Sequence, residues 1–221
     1  DSLRQATGFT GDLKEFFQYL RTDTKFFYAD SASLMNGYKS IAAKANAALP
    51  KLFGKLPKLG FEVVPVPAYS QKSQTTAYYN QGSLKTGRPG YFFANTYDLA
   101  ARPKWEMEPL TLHESVPGHH LQIPLAEEND NKPDLLKNTS YTAFIEGWGL
   151  YAESLGNELG FYKDPYKRMG QLTYEMWRSI RLVVDVGIHY KGWSRQQAID
   201  FFEENSGISK KNIEVEVDRY I

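Results

Sequence analysis

Three of the four histidines in the chain lie within the nine-residue segment 112–120. His113 is followed directly by Glu114, and the other two histidines are His119 and His120. In a zincin, a histidine–glutamate pair on a helix binds zinc together with a second histidine on the same face, and the glutamate accepts a proton from the activated water. The cluster therefore predicts a zinc site with His113 as a ligand and Glu114 as the general base.

The spacing of the histidines requires an interrupted helix. The usual spacing is four residues, whereas His119 and His120 follow His113 by six and seven. Six residues of continuous helix turn about 600° and rise about 9 Å, so two imidazoles at this spacing could not share one metal ion. Pro117 and Gly118 permit a bulge, because proline removes a backbone donor and glycine tolerates unusual dihedrals. A bulge that absorbs two residues makes His119 the second ligand, which we prefer as the smaller distortion, and one that absorbs three makes it His120.

A third ligand is expected from a following antiparallel helix. The segment 144–153 carries two acids on one helical face, Glu146 and Glu153. Gly147 and Gly149 each cost about 1 kcal/mol of helix propensity relative to alanine, which indicates close packing against the metal helix. We choose Glu146 as the ligand and leave Glu153 either beside a ligand or facing solvent. The alternative without a metal is that the histidines only border a helix broken by Pro-Gly.

A stripe of ionisable side chains follows on one face of a long predicted helix. Its members fall within an arc of about 80°: Tyr174, Arg178, Arg181, Asp185 and His189. This mixture, without lysine, is more typical of a cleft than of a solvated surface. We therefore expect the stripe to face the metal and the helix to be buried on both sides. His189 and Arg181 are predicted to stabilise an oxyanion or bind a substrate carboxylate, with Arg178 and Tyr174 also binding substrate. The alternatives are a solvated face and an ion pair between Arg181 and Asp185.

The segment 88–96 is a predicted strand that carries Asn95 near its end. If it is an edge strand, an extended peptide could pair with it, and Asn95 would bind the substrate and determine its register. The alternative is ordinary sheet core.

Helices and a small sheet must position these residues. Helices are predicted over 13–20, 31–50, 109–121, 141–159, 164–190, 194–202 and from 209, and strands over 61–64, 76–79 and 91–93. Asp30 and the pair Ser194 and Gln197 are predicted N-terminal caps. The strands are separated by Gly, Pro and Ser, which favours a small antiparallel sheet. The polar run 129–133 predicts a loop. We interpret residues 1–221 as one domain of the α+β class, mostly helical.

Composition excludes several classes of protein. The 221 residues include 26 basic and 26 acidic side chains and are 42% hydrophobic, which is typical of a globular domain and not of a disordered tail or a fibre. Zero net charge leaves no basic field for nucleic acid. No apolar run reaches the roughly 18 residues of a membrane span. The chain has no cysteine, which excludes thiolate zinc sites and disulfides. A domain of this size does not need a structural metal, so a metal site here is predicted to be functional.

Nearly the whole chain resembles a bacterial family, the domain of unknown function 885, whose members are often described as lipoproteins and are grouped with the zincin metallopeptidases. The most specific parts are His-Glu-x-x-Pro-Gly-His-His-Leu-Gln at 113–122 and Glu-Gly-Trp at 146–148, and the likeness continues through 181–185, His189 and 216–220. The resemblance implies a zincin-like helical core, a zinc-dependent hydrolase and a periplasmic or cell-envelope location. Family members are typically longer, which implies that this chain is the C-terminal part of a longer protein.

The leading hypothesis is a zinc-dependent metallopeptidase that hydrolyses peptides. Zn²⁺ would be bound by His113, His119 and Glu146, with Glu114 as the base. The alternative is a non-catalytic peptide- or ligand-binding domain that keeps the zincin architecture. Both hypotheses predict a cleft, but a binding domain has no use for a base beside the metal.

Overall fold

The computed structural model describes the chain from Asp1 to Ile221 except for Asp130, Lys132 and Asn138. Helices dominate the described residues and accompany a small sheet, which confirms the α+β, mostly helical class. The α-helices are α1 (Ser2–Ala6), α2 (Leu13–Thr22), α3 (Ser31–Ala48), α4 (Met107–Glu114), α5 (His119–Glu127), α6 (Asp134–Lys137), α7 (Thr142–Ser154), α8 (Pro165–His189), α9 (Arg195–Asn205) and α10 (Lys210–Tyr220). Short 3-10 helices cover Thr24–Phe26, Leu49–Lys51, Leu99–Ala101 and Lys104–Glu106. The predicted loop at 129–133 lies partly outside the described residues.

The predicted N-terminal caps are present. Asp30 accepts a hydrogen bond of 2.7 Å from the backbone N–H of Ser33 at the start of α3. Ser194 and Gln197 form a reciprocal capping box at the start of α9. Pro165 occupies the first turn of α8, where its missing N–H costs nothing. Because each cap satisfies backbone donors that a helix leaves free, these helix starts could be predicted from local sequence.

The sheet in the described residues is mixed. Its strands are β1 (Phe61–Pro65), β2 (Ala77–Asn80) and β3 (Gly90–Ala94), in the spatial order β1-β3-β2. β3 pairs with β2 in the antiparallel sense and with β1 in the parallel sense. The prediction of an antiparallel sheet is therefore wrong for β1, because β3 inserts between two strands that are consecutive in the chain. β3 is thus the central strand, and β2 is an edge strand.

The predicted helix through 109–121 is divided in two. α4 ends at Glu114, and α5 begins at His119 after a break at 115–118. A four-residue interruption with non-helical dihedrals at Ser115 and Gly118 replaces the expected bulge. The backbone N–H of His120 donates to the carbonyl of Ser115 at 2.9 Å across the break.

Helix α8 contributes to the largest core cluster, where Ile180 is buried with Phe92 of β3 and Phe202 of α9. The apolar face that Ile180 shares with Met176 and Val183 is only partly covered, since Met176 and Val183 are exposed. The prediction that α8 is buried on both sides is therefore wrong, because no element of the described chain covers that face at these two residues.

Candidate metal centre

His113 lies in the last turn of α4, and a buried acid binds the ring nitrogen that faces away from the cleft. Its Nδ1 donates to Oε1 of Glu153 at 2.8 Å, and Glu153, on α7, has no solvent exposure. A hydrogen bond at Nδ1 fixes the ring and leaves Nε2 to face the cleft. Nε2 lies 3.4 Å from Oε2 of Glu146, which lies two turns before Glu153 on α7. Glu153 therefore lies beside a candidate ligand and does not face solvent, which were the two positions left open by the sequence.

His119 reaches the same place from the start of α5. Its Nε2 lies 3.8 Å from Oε1 of Glu146, and its ring is 4.6 Å from that of His113 between centroids. Gly118 makes this approach possible, because a Cβ there would overlap the carbonyl oxygens of Leu112 and His113. The structure thus brings the candidate ligand pair together through a break in the helix and not through the predicted bulge.

A hydrogen bond from helix α7 stabilises the break between α4 and α5. The indole Nε1–H of Trp148 donates to the carbonyl of Pro117 at 2.8 Å. The two most specific segments of the sequence therefore touch directly. Sequence reasoning missed this bond, because nothing in either segment indicates its partner 31 residues away.

His113, His119 and Glu146 each offer one ligand atom, and these atoms lie within 4.8 Å of one another. The Glu146 side chain is 54% exposed, whereas both imidazoles are buried. Two imidazoles and one carboxylate are a donor set that zinc accepts in catalytic sites. The residues present therefore fit the metal that the sequence predicts, and its binding stays a prediction.

Only one of the two glycines on α7 explains the close approach of the helices. A Cβ at Gly149 would lie 2.5 Å from Cε1 of His113, whereas a Cβ at Gly147 would meet nothing within 4 Å. Close packing, predicted for both, is confirmed for Gly149 and is wrong for Gly147.

His120 points away from the cluster. Its Nδ1 lies 2.8 Å from the hydroxyl of Tyr79, and its Nε2 lies 2.9 Å from the carbonyl oxygen of Leu59. These contacts fit a neutral ring that accepts from the phenol and donates to the carbonyl. Burial lowers the pKa of His120 to about 4, which keeps the ring neutral. In this structure His120 connects α5 to the sheet and does not compete with His119.

Burial and neighbouring charges give the cluster an unusual electrostatic balance. Burial raises the pKa of Glu114 to about 7, although the charge of His113 opposes the rise. Burial would lower the pKa of His113, but hydrogen bonds to Glu146 and Glu153 outweigh it and raise that pKa to about 9. The bond from His113 lowers the pKa of Glu146 to about 2. Without a metal, the proton on His113 therefore compensates the surrounding acids.

The cluster opens into a cleft of about 490 Å³. One wall comes from residues 74–79, which include the edge strand β2, and another from α8 and α10. Glu114, Tyr174, Arg178 and Arg181 all border the cleft, as expected from the sequence. The side chains of Tyr174, Arg178 and Arg181, however, contact protein groups that the sequence did not predict.

Arg178 is bound within the site. Its Nη2 lies 2.9 Å from the same Glu153 oxygen that His113 bonds. Its guanidinium also lies over the ring of Tyr174, 5.3 Å from the centroid. The Tyr174 hydroxyl is buried and has no hydrogen-bond partner among the described residues. Tyr174 therefore borders the cleft with its hydroxyl out of reach of a ligand, and its predicted role in substrate binding stays a prediction.

Arg181 does not pair with Asp185. Its Nη2 donates to Oε2 of Glu216 at 2.9 Å, and its Nε donates to the hydroxyl of Tyr220 at 2.7 Å. The alternative of an ion pair with Asp185 within α8 is therefore not seen, because a buried acid on α10 offers a better-desolvated partner. Glu216 and Arg219 both border the cleft and were missed by sequence reasoning.

His189 is far from the metal cluster. It lies 11 residues beyond Arg178 on α8, which corresponds to a rise of about 16 Å. Its half-exposed ring contacts the backbone carbonyl of Tyr220 at 2.8 Å and lies 3.7 Å from Asp185. His189 does not border the cleft, because the helix is too long for its whole polar stripe to face one site. Its predicted catalytic role stays a prediction that this placement does not favour.

Asn95 is fully buried and holds a loop. Its Nδ2 donates to the carbonyls of Gln71, Gln74 and Thr75, and its Oδ1 accepts from the N–H of Tyr97. Since β3 is the central strand and Asn95 is fully engaged, the predicted contact with substrate is wrong.

Residues 1–221 match the family model described as bacterial protein of unknown function (DUF885). The chain belongs to this family. No functionally curated protein matches the DUF885 chain in sequence.

The solved structures that resemble this DUF885 chain include two bacterial proteins. A predicted lipoprotein from Colwellia psychrerythraea is 32% identical with a TM-score of 0.91, and the alignment covers 99% of this chain and 38% of that one. A predicted lipoprotein of unknown function from Shewanella oneidensis is 17% identical with a TM-score of 0.70, over 98% of this chain and 41% of that one. The second likeness concerns the fold alone. The chain thus spans about two fifths of the length of these proteins. Among its described residues, no helix is long and apolar enough to cross a membrane.

Proposed function

We propose that this DUF885 chain carries the catalytic centre of a zinc-dependent peptidase, with zinc bound by His113, His119 and Glu146. The observation that supports the proposal is the convergence of these three donors within 4.8 Å beside Glu114, whose side chain is only 12% exposed. Catalytic zinc sites use three protein ligands and keep one position open. When bound, the metal would polarise a peptide carbonyl and make a nearby water more acidic.

Glu114 is the general base in this proposal. Its Oε2 lies 4.0 Å from Nε2 of His119, at the edge of the donor triangle. Burial raises its pKa to about 7, so its carboxylate is a stronger base than an exposed glutamate at neutral pH. It takes a proton from the attacking water and returns it to the amide nitrogen of the leaving group, so the proton stays within the cleft.

Glu153 and Arg178 position the first ligand. Glu153 fixes the Nδ1–H tautomer of His113, and Arg178 compensates the charge of Glu153 in its buried position. Neither residue touches the substrate in this proposal.

The outer edge of β2 is the proposed binding site for the peptide backbone. β2 is an edge strand, and residues 74–79 line the cleft beside the metal cluster. An extended peptide can add to such an edge through main-chain hydrogen bonds, which gives affinity without sequence specificity. Pairing with an extended peptide is thus assigned to β2 and not to the predicted strand at 88–96.

Substitution of the base tests the proposal. In the zinc-loaded full-length protein, Glu114→Gln should lower kcat on a mixed-peptide pool by about 100-fold to 10,000-fold while zinc content stays unchanged. Glu158→Gln, at an exposed acid that lies outside the cleft, is the control. Equal cleavage by wild type and Glu114→Gln would contradict the base assignment. Peptide binding without any cleavage by wild type would favour the non-catalytic alternative.

We also propose a cell-envelope location for the protein that contains this chain. The support is the description of the structural neighbour that is 32% identical to this chain as a predicted lipoprotein. Cell fractionation of the native protein tests this, and recovery in the cytoplasmic fraction would contradict it.

A further inference from the structure

Two arginines bracket one buried acid on the α8–α10 side of the cleft. Arg181 Nη2 donates to Oε2 of Glu216 at 2.9 Å, and Arg219 Nη1 donates to Oε1 at 2.6 Å. Glu216 is 2% exposed, and the hydroxyl of Tyr220 donates to its Oε2 at 3.0 Å. One carboxylate therefore orients two guanidinium groups. We call Arg181 and Arg219 the arginine pair.

The arginine pair carries one positive charge more than its acid. Two guanidiniums face a single carboxylate, whereas Arg178 nearby is matched by Glu153. The other acids that line the cleft are Glu114 and Glu146, and both belong to the metal cluster. The excess positive charge of the cleft thus lies at the arginine pair.

Both arginines keep donors that a ligand can reach. Their side chains are 36% and 53% exposed, and both line the cleft. A guanidinium has five N–H donors. The hydrogen bonds in the described chain engage Nε and Nη2 of Arg181 and Nη1 of Arg219. Arginines held in a fixed orientation bind planar carboxylates well, because little rotational freedom is lost on binding.

The spacing along α8 relates the arginine pair to the metal cluster. Arg178 Nη2 lies 3.1 Å from Nδ1 of His113, and Arg181 follows three residues later, which is a rise of about 4.5 Å. One extended peptide residue spans about 3.5 Å. A carboxylate bound at the arginine pair would therefore lie in the same cleft as a peptide bond at the cluster.

We propose that Arg181 and Arg219 bind the terminal carboxylate of a peptide substrate, so that the cleft selects free C-terminal ends. This inference rests on the proposed peptidase function. The recognised chemistry is a carboxylate, which an aspartate or glutamate side chain also presents, and the test separates the two sources.

Binding and cleavage are measured separately. The zinc-loaded full-length protein with Glu114→Gln is titrated by calorimetry with three peptides that share one sequence except for the last residue of the third. The first has a free C-terminus, the second a C-terminal amide, and the third an amide with glutamate as its last residue. We expect about tenfold tighter binding of the free acid, and a ratio near one after Arg181→Ala or Arg219→Ala in the same background.

Arg195→Ala is the matched control for these substitutions. Arg195 also pairs with an acid of α10, Asp218 at 2.6 Å, but both partners are exposed and lie outside the cleft. The preference for the free acid should survive this change. Arg219→Ala leaves Arg181 on Glu216, so it provides a second test if Arg181→Ala does not fold.

Each outcome is informative. Equal affinity for free acid and amide, a preference that survives both arginine substitutions, or no binding of any peptide overturns the inference. Equal affinity for the free acid and the glutamate amide overturns the assignment to the C-terminus. Failure of the wild-type protein to cleave any of the peptides contradicts the peptidase function, whereas the calorimetric ratio still decides whether the arginine pair binds a carboxylate.

Discussion

The Oε1 atom of Glu153 lies 2.8 Å from Nδ1 of His113 and 2.9 Å from Nη2 of Arg178. One buried acid therefore orients a candidate metal ligand and neutralises an arginine that would otherwise repel a cation. This double role makes Glu153 as important to the site as the residues that face the cleft.

Loss of the Glu153 carboxylate should weaken metal binding. Glu153→Gln keeps the shape of the side chain but removes the charge that orients His113, so zinc affinity should fall by about 10-fold to 100-fold. Competition with a chromogenic chelator measures it, and Glu158→Gln is the exposed control. Unchanged zinc affinity in Glu153→Gln would show that His113 does not depend on this bond.

The two glycines of α7 should respond differently to alanine. In Gly149→Ala the new Cβ lies 2.5 Å from Cε1 of His113, so we expect about 1 to 3 kcal/mol of destabilisation and loss of zinc binding. In Gly147→Ala the Cβ meets nothing within 4 Å, so the variant should gain up to about 1 kcal/mol from helix propensity. Thermal unfolding and zinc titration check both. Equal behaviour of the two variants would contradict the close approach of α4 and α7.

Substitution of His119 and of His120 should affect zinc binding differently. His119→Ala should abolish zinc binding, whereas His120→Ala should bind zinc as wild type does. The second variant loses hydrogen bonds to Tyr79 and Leu59 that join α5 to the sheet, at a cost of about 1 to 3 kcal/mol. Zinc content and urea midpoints measured on both variants test this. Loss of zinc in His120→Ala with the fold intact would reverse the assignment.

Glu106 should make stability depend on pH. Burial raises its pKa to about 8, with Arg102 opposing, and neither carboxylate oxygen has a partner among the described residues. The folded state therefore keeps a proton that the unfolded state loses above its ordinary pKa near 4.5. Since the folded pKa is the higher one, this contribution is fully present below pH 4.5 and is lost as pH rises to about 8. The slope is roughly 1.4 kcal/mol per pH unit.

Glu106→Gln should remove that slope. The difference in unfolding free energy between wild type and Glu106→Gln, measured by urea titration of the metal-free protein from pH 5 to 9, isolates the residue from other titrating groups. Glu204→Gln, at an exposed acid, should follow wild type. A difference that stays constant across this range would contradict a neutral buried Glu106.

The helix starts and the order of elements could be predicted from short-range sequence patterns. Asp30 and Ser194 mark helix starts through bonds to residues three positions away, and the order of elements follows from such signals. The candidate ligands were found because residue type and the Pro-Gly interruption restrict the geometry strongly.

Non-local partners could not be predicted. Arg181 finds Glu216 35 residues away, and the choice over Asp185 depends on how α10 packs against α8. The parallel pairing of β1 with β3 is also non-local. The chain passes from β1 to β2 and leaves a gap between them, and β3, which comes later in the sequence, fills that gap. Helical periodicity specifies a face but not which part of that face meets the cleft, and His189 lies on a part that does not.

The break between α4 and α5 affects how related sites can be recognised in uncharacterised genomes. A search pattern with two histidines four positions apart assumes a continuous helix, and such a pattern passes over this chain. The spatial arrangement is encoded instead by two separate signatures, His-Glu-x4-His and a distant Glu-Gly-Trp. They belong together because Trp148 bonds the carbonyl of Pro117 while Glu146 lies beside both imidazoles. A bipartite pattern of this kind should separate true relatives from chance matches to either signature alone.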